Sequence, residues 1–305
     1  MENNLNINTR FAPTPSGYLH LGNVFSFILT WLIVRKNSGT IRLRIDDLDF
    51  ERARHEYIAD IIQTLDTLGL DYDYGPVSVD AFRNEFSKFK RLDLYEDYIG
   101  QLERTGLLFN CACSKKEIRE ASGSNNYPGT CLNKAITFHQ SETTYRINTE
   151  SIKGLIINDE LQGQIHVDIE NEMPFFVIRK KDGMPSYQVA SLVDDIHYNI
   201  NYVIRGIDLL PSTGAQMFVA NVLKLRPFLK SKFFHHQLLK DGEEKLTKSQ
   251  KSPPVFEILS KPEGKAQIFQ DFSEWIGLPE RVTTLAELLS VFEMSQMKFQ
   301  NQLGI

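Results

Sequence analysis

The sequence is poor in cysteine and tryptophan, has no long apolar run and carries no excess of positive charge. Only three cysteines occur in 305 residues, at 111, 113 and 131. An odd number crowded into one short stretch argues against a disulfide framework and makes a metal site the reading to test. The longest apolar run, Val24 to Val34, is broken by Ser26 and Thr30 and falls well short of the ~20 residues a membrane span requires. It also lies too far into the chain, behind a neutral start, for a secretory segment. A cytoplasmic enzyme without membrane association is therefore expected. A formal net charge of −5 argues against a surface coated for indiscriminate nucleic-acid binding, although a local basic groove stays possible. Internal repeats and low-complexity tracts are also missing. Apolar content of 42% and charged content of 24% are ordinary for a soluble globular chain with one large or two modest domains.

The most informative stretch that is present is RFAPTPSGYLHLGN, Arg10 to Asn23. A short strand-like run leads through a Pro/Gly turn and places His20, Leu21, Gly22 and Asn23 at the start of an apolar segment. Gly17 and Gly22 allow backbone to approach a phosphate closely, and a helix N-terminus favours negative charge. A histidine there can donate to a triphosphate. Alone, the His20-x-Gly22 tripeptide reads first as an ordinary strand–turn–helix with a surface histidine.

Asn6 to Ala12 reads as a strand and His20 to Lys36 as a helix. Thr40 to Ile45 alternates like a strand and runs into the acidic turn Asp46–Asp47–Leu48–Asp49. Glu56 to Leu68 has helical periodicity with Gly69 closing it. Strand, helix, strand, helix opens a parallel α/β sheet. Phe86 to Thr105 reads as one amphipathic helix burying Phe89, Leu92, Leu94, Tyr95, Tyr98 and Leu102. Residues 110–135 have loop composition, and Thr144 to Val177 carries several short strands. Parallel-sheet character returns at Tyr187 to Val193 and Tyr202 to Ile204, followed by a helix over Gly214 to Leu225 and a strand over Phe233 to Leu239. The remainder, Val255 to Ile305, reads as mostly helical.

Late in the chain, KLTKS (Lys245 to Ser249) sets two lysines three apart, able to reach successive phosphate oxygens as pyrophosphate leaves. A solvated lysine loop is the plainer alternative. Its position after a second α/β half allows it to face His20 across a switch-point crevice. Together, RFAPTPSGYLHLGN and KLTKS resemble the HIGH and KMSKS motifs of class I aminoacyl-tRNA synthetases. With LRIDDLDFER, PSYQVASLVDD and RGIDLL, the chain looks like the glutamyl branch of that class over residues 10 to 249. The resemblance implies a Rossmann-type parallel-sheet catalytic domain split by a zinc-containing insertion, with a small helical C-terminal subdomain. The implied divisions are a first Rossmann half over 1–108, the insertion over 109–185, a second half with the KLTKS loop over 186–252, and the helical subdomain over 253–305. It also implies catalytic roles for His20, Lys245 and Lys248, and ATP contacts from Gly17, His20, Gly22, Asn23 and Lys248. Substrate contacts fall to Arg10, Ala12, Thr14, Asp46, Tyr187 and Arg205. Arg10 and Arg205 would hold carboxylates and Tyr187 would hydrogen-bond beside them. Asp46 would receive the substrate ammonium, where the family generally has the longer glutamate.

Three thiolates at 111, 113 and 131 plus one further ligand form a reasonable tetrahedral zinc set. The Cys-x-Cys…Tyr-x₃-Cys arrangement resembles the site of glutamyl-Q tRNA(Asp) synthetases, which implies Tyr127 as fourth ligand to a structural Zn²⁺; His139 is an alternative outside that pattern. Only about 55 residues follow KLTKS, too few for a helical anticodon-reading region. The resemblance thus implies activation of L-glutamate with ATP and Mg²⁺, then transfer to queuosine in the anticodon loop of tRNA(Asp). A monomer is expected, because no association surface stands out in the sequence. Lys224, Arg226, Lys230 and Lys232 are candidates to guide the RNA backbone. Alternatives are a shortened glutamyl-tRNA synthetase paralogue with another acceptor, a non-catalytic nucleotide- or RNA-binding paralogue, and a nucleotidyltransferase sharing the first motif.

Overall fold

The computed structural model describes residues 6–124, 126–140, 142–150, 154–241, 244–245, 253–278 and 281–299, with backbone alone at 240–241 and 244–245. In chain order the strands are β1 (Asn8–Phe11), β2 (Thr40–Leu43), β3 (Leu108–Cys111), β4 (Thr144–Ile147), β5 (Leu155–Asp159), β6 (Gly163–Val167), β7 (Val177–Arg179), β8 (Tyr202–Gly206), β9 (Lys232–His236), β10 (Lys240–Asp241) and β11 (Glu244–Lys245). Two compact units result: Met1–Lys90 with Tyr202–Ile207 and His236–Ile305, and Arg91–Asn201 with Asp208–His235.

In the first unit β1 and β2 pair in parallel, from Asn8 opposite Thr40 to Phe11 opposite Leu43. The helix Leu21–Lys36 connects them and is buried from Val24 to Val34 apart from Ser26. A helix that is apolar all round has to be enclosed. Here the enclosure includes the helix Gly264–Trp275, since the Phe25 ring lies 5.6 Å from Phe272 and 5.5 Å from Trp275. On β1, Thr9 Oγ1 donates to the Tyr202 carbonyl (2.6 Å), which brings β8 alongside. The helix His55–Leu68 buries Ile58, Ile61, Leu65 and Leu68 and stops at Gly69, whose φ of 80° suits glycine. Helices Val255–Leu259, Gly264–Trp275 and Leu285–Val291 make the C-terminal part of the described chain helical, as its sequence predicts.

The second unit contains an antiparallel sheet in the order β3-β4-β7. Beside it, β5 pairs antiparallel with β6 and parallel with β9 at Asp159 and Phe233. The helix Leu210–Val222 contributes Phe218, 6.0 Å from the Phe176 ring.

Three local expectations are corrected. The single helix over Phe86 to Thr105 is broken: a π turn at Phe82–Phe86 and a 3-10 turn at Lys88–Arg91 precede an α-helix at Leu92–Glu103. The break falls at Ser87, where Oγ donates to Asp47 (2.5 Å) and the Lys88 N–H donates to the same carboxylate (2.9 Å). These two tertiary bonds replace helical ones. Tyr95, Ile99 and Leu102 are the buried residues of the helix that remains, whereas Phe89, Leu92, Leu94 and Tyr98 are half-buried. The segment Tyr187 to Val193 forms the helix Tyr187–His197, not a strand; Ser186 caps it by accepting from the Val189 N–H (3.5 Å). A short apolar run has the same periodic signature as a buried strand. Within 110–135, finally, a helix stands at Lys115–Ser122 with a Ser114–Glu117 capping box.

Candidate active site and cysteine cluster

The first unit positions the HLGN turn as a helix start. His20 is the N-cap of Leu21–Lys36, and its carbonyl accepts from the Asn23 N–H (2.9 Å) and the Val24 N–H (3.2 Å). Asn23 Oδ1 in turn accepts from the His20 N–H (3.2 Å). Free N–H groups at such a terminus and the helix dipole favour an anion. Gly22 lies beneath the His20 imidazole: a Cβ there would sit 3.2 Å from both Cε1 and Nδ1. At Gly17 a Cβ would enter open space. Ala12 is half-buried and Thr14 is exposed on the same turn.

Arg10 and Arg205 are both buried, on β1 and β8 of this unit. An Arg10 Nη1 donates to the Ile204 carbonyl at 3.4 Å. Asp46 follows β2, and its N–H donates to the Pro13 carbonyl (2.8 Å), so it stands beside the FAPTPSG turn at the carboxyl ends of the parallel strands. Open α/β sheets bind their ligands at that edge. Asp46 is not a bare carboxylate. Arg44 grips it with Nε on Oδ1 (2.9 Å) and Nη2 on Oδ2 (3.3 Å), and Lys88 Nζ lies 2.9 Å from Oδ1. All three side chains are almost wholly enclosed, at 7%, 2% and 2% exposure. The neighbouring Asp47, bonded to Ser87 and Lys88, has its pKa raised by burial, which outweighs those bonds.

Sequence reasoning assigned no role to Arg44 or Lys88. The strand alternation puts Arg44 and Asp46 on one face, a usable signal. Lys88 gives none, because a lysine in a polar stretch reads as solvated. Of the KLTKS lysines, Lys245 lies on β11, where only backbone is described, and Lys248 lies outside the described residues.

In the second unit Tyr187 is the first residue of its helix and is 37% exposed, not a core tyrosine. The nearby Asp194, fully buried, accepts from Arg91 Nε (2.8 Å) and from the Tyr95 hydroxyl (2.8 Å). Lys232 is paired with Glu160 (3.1 Å), while Lys224, Arg226 and Lys230 are exposed.

The same unit gathers the three cysteines. Their Sγ atoms lie within 4.8 Å of one another, with Cys113 and Cys131 at 3.5 Å. Tetrahedral thiolates about 2.3 Å from a zinc ion stand ~3.8 Å apart, so the spacing fits. Cys111 arrives at the end of β3, and Tyr127 and Cys131 come from the loop that returns beneath it. The Tyr127 hydroxyl accepts from the Cys131 N–H (2.7 Å) and lies in hydrogen-bonding range of the Cys111 and Cys131 thiols. Phe109 and Phe175 flank its ring. Burial, then the neighbouring thiols, push the Cys113 thiol up to about 11. Burial and the thiols also raise the Tyr127 phenol. Burial works the same way on Cys131, but hydrogen bonds from Tyr127 and Cys113 outweigh it and lower that thiol. Three sulfurs and a phenol form a donor set suited to a cation that takes up their shared charge. His139 does not join them: its ring lies against Tyr145 and 3.6 Å from Glu103.

A family profile described as tRNA synthetases class I (E and Q), catalytic domain, matches residues 6–296. Over 223 residues the chain is 35% identical to a glutamyl-Q tRNA(Asp) synthetase of Cupriavidus metallidurans, covering 71% of this chain and 69% of that protein. It is 34% identical over 222 residues to a glutamate–tRNA ligase of Desulfosudis oleivorans, covering 70% of this chain and 45% of that one. The fold is similar to that of a glutamate tRNA ligase from Elizabethkingia meningosepticum solved with its amino acid, with a TM-score of 0.78 at 21% identity over 98% of this chain and 67% of that chain. Among the described residues no helix is long and apolar enough to cross a membrane.

Proposed function

Because this chain belongs to the class I tRNA synthetases for E and Q, through their catalytic domain, we propose that it activates L-glutamate with ATP and passes the glutamyl group to queuosine in the anticodon loop of tRNA(Asp). The observation that carries the choice of acceptor is the cysteine cluster with its phenol, Cys111, Cys113, Tyr127 and Cys131. This is the ligand order in which the sequence resembles glutamyl-Q tRNA(Asp) synthetases, and a relative of that name is 35% identical.

In the first step a carboxylate oxygen of glutamate bonds to the α-phosphorus of ATP, and the bond to the bridging oxygen breaks to release pyrophosphate. His20 at the helix start, Gly17, Gly22 and Asn23 along the turn, and Lys245 and Lys248 hold the triphosphate and offset the charge that grows on the departing oxygens. Mg²⁺ accompanying ATP would supply further positive charge to the triphosphate. Arg10 and Arg205, buried on adjacent strands, hold carboxylate groups of the amino acid through the planar guanidinium fork, with Ala12 and Thr14 bordering them. The assignment of Tyr187 to the substrate rests on the resemblance alone. In the second step a hydroxyl of the queuosine cyclopentene-diol bonds to the acyl carbon, AMP leaves with the mixed-anhydride oxygen, and the hydroxyl proton is released. A base in a single-stranded loop is open to an enzyme in a way that duplex RNA is not.

Zn²⁺ on Cys111, Cys113, Tyr127 and Cys131 is structural in this reading. Four protein ligands would leave no open coordination position, and the ion would cross-link the end of β3 to the loop after it. The deciding experiment is glutamate-dependent labelling of queuosine-containing and queuosine-free tRNA(Asp). Label confined to the queuosine-containing RNA is expected, and equal labelling of both would overturn the acceptor.

A further inference from the structure

Both backbone polar groups of Leu19, the residue that leads into His20, are held from outside their own turn. The Leu19 N–H donates to Asp60 Oδ2 (2.9 Å), a carboxylate on the helix His55–Leu68. The Leu19 carbonyl accepts from the Val255 N–H (2.9 Å), at the start of the helix Val255–Leu259, the first described helix after KLTKS in the chain. The rings of the neighbouring residues meet in the same places: Tyr18 stands edge-on to Tyr57 at 5.0 Å and to Phe256 at 4.8 Å. Leu19 and Asp60 are both buried, at 3% and 8% exposure. With its N–H and its carbonyl both fixed, Leu19 has little freedom in φ and ψ, and those two angles aim the residue that follows. That residue is His20, the N-cap of the helix Leu21–Lys36.

A buried carboxylate is a costly way to hold one N–H. Burial raises the Asp60 carboxyl above its ordinary value by more than the Leu19 bond lowers it, so the ionised group contributes no net stability. Among the described residues the Leu19 N–H is the one hydrogen-bond donor it meets. We propose that Asp60 is a positioning residue for adenylate formation: by holding the Leu19 backbone against Val255 it sets where the His20 imidazole stands at the helix start. The inference rests on the glutamate-activation reading and adds to it a residue that touches no substrate.

The test is glutamate-dependent ATP–pyrophosphate exchange by the full chain, read as kcat and KM, with thermal melts alongside. Asp60→Ala deletes the acceptor but keeps a good helix former. It should lower kcat by roughly tenfold and leave the KM for glutamate within about twofold. Asp60→Asn keeps an oxygen that can accept from Leu19 and should recover kcat to within about threefold of wild type. In a His20→Ala background Asp60→Ala should lower kcat by less than about twofold, because the group it positions is gone. A purely structural role would appear as a lower melting temperature with kcat unchanged, or as losses at Asp60 and His20 that multiply; either result overturns the proposal. Where Asp60→Ala fails to fold, Asp60→Glu takes its place in the same cycle, since it moves the carboxylate off Leu19. The cavity of about 610 Å³ that Asp60 lines with Tyr18, Gln63 and Phe256 gives the extra methylene room. Wild-type protein without glutamate-dependent exchange sinks the activation reading itself. Wild-type exchange beside Asp60 variants that keep full kcat sinks the role of Asp60 alone.

Discussion

His20 and Gly22 depend on each other at the distance of a single methyl group. A Cβ at position 22 would stand 3.2 Å from two atoms of the imidazole, so Gly22→Ala must push the ring by a few tenths of an ångström. Small displacements of a group that stabilises a developing charge are costly, so exchange of pyrophosphate into ATP should fall by roughly tenfold to a hundredfold. The melting temperature should hardly move, because alanine is the better helix former. Unchanged exchange would remove His20 from the triphosphate. The need for glycine at 22 was readable as a close-approach position, but the sequence did not say that the approaching atoms belong to the protein's own histidine. Asp46 shows the same limit. Its place after an alternating strand was legible, whereas its partner Lys88, 42 positions on, was not.

At the scale of elements, β3 and the loop after it meet at the cysteine cluster, at the apolar residues around it and through the bond from the Asn110 side-chain amide to the Thr137 carbonyl. Purified protein should contain about one equivalent of zinc. Cys113→Ser should lose the metal and lower the melting temperature. Every ligand must shed its proton to bind, and the Cys113 thiol is pushed up to about 11. Metal occupancy should therefore fall as pH is lowered, not as it is raised. Metal analysis after dialysis across a pH series checks both; a metal-free protein with an unaltered melt would end the assignment. The sequence supplied the ligand types and spacing. It misread the surrounding segment as loop, because the short helix Lys115–Ser122 is held by its Ser114–Glu117 box and one buried residue, Ile118, rather than by an apolar stripe. Tyr187–His197 was misread for the opposite reason: its apolar residues are so dense that the period of a helix and of a buried strand cannot be told apart.

For the molecule as a whole, stability in acid turns on a buried network that no motif announced. Asp159, at the end of β5, accepts from the His235 N–H (2.9 Å), lies 2.7 Å from His235 Nδ1 and also accepts from Leu161 and Gln162 (3.0 Å each). His235 Nε2 stands 2.7 Å from the Thr213 hydroxyl, and all three residues are buried. Burial opposes the charge on Asp159, but the His235 bond and the backbone donors outweigh it and hold the carboxyl below its ordinary value. A lowered carboxyl contributes stability that is complete above the unfolded value of ~3.9 and is lost as pH falls through the folded one. Asp159→Ala, which leaves the His235 ring and backbone N–H without their acceptor, should cost at least about 1–3 kcal/mol near neutral pH. It should also flatten the decline in stability below pH ~4. Denaturant titrations of both proteins at pH 7 and in acid test this, and equal stability at pH 7 would dismiss the network.

By itself the sequence determined the order of motifs, the opening strand–helix–strand–helix unit, the Pro/Gly turn that starts its helix at His20 and the composition of the cysteine cluster. These follow from periodicity, turn chemistry and ligand spacing, which act over a few residues and leave their mark in the letters. Only the tertiary structure decided that Lys88 pairs with Asp46, that Ser87 breaks a helix to reach Asp47, that His139 turns to Glu103 and away from the thiols, and that Asp159 holds His235, which in turn meets Thr213. Each is an electrostatic pairing settled by distance in space between residues far apart in the chain, or by which of two local patterns has partners to bury against.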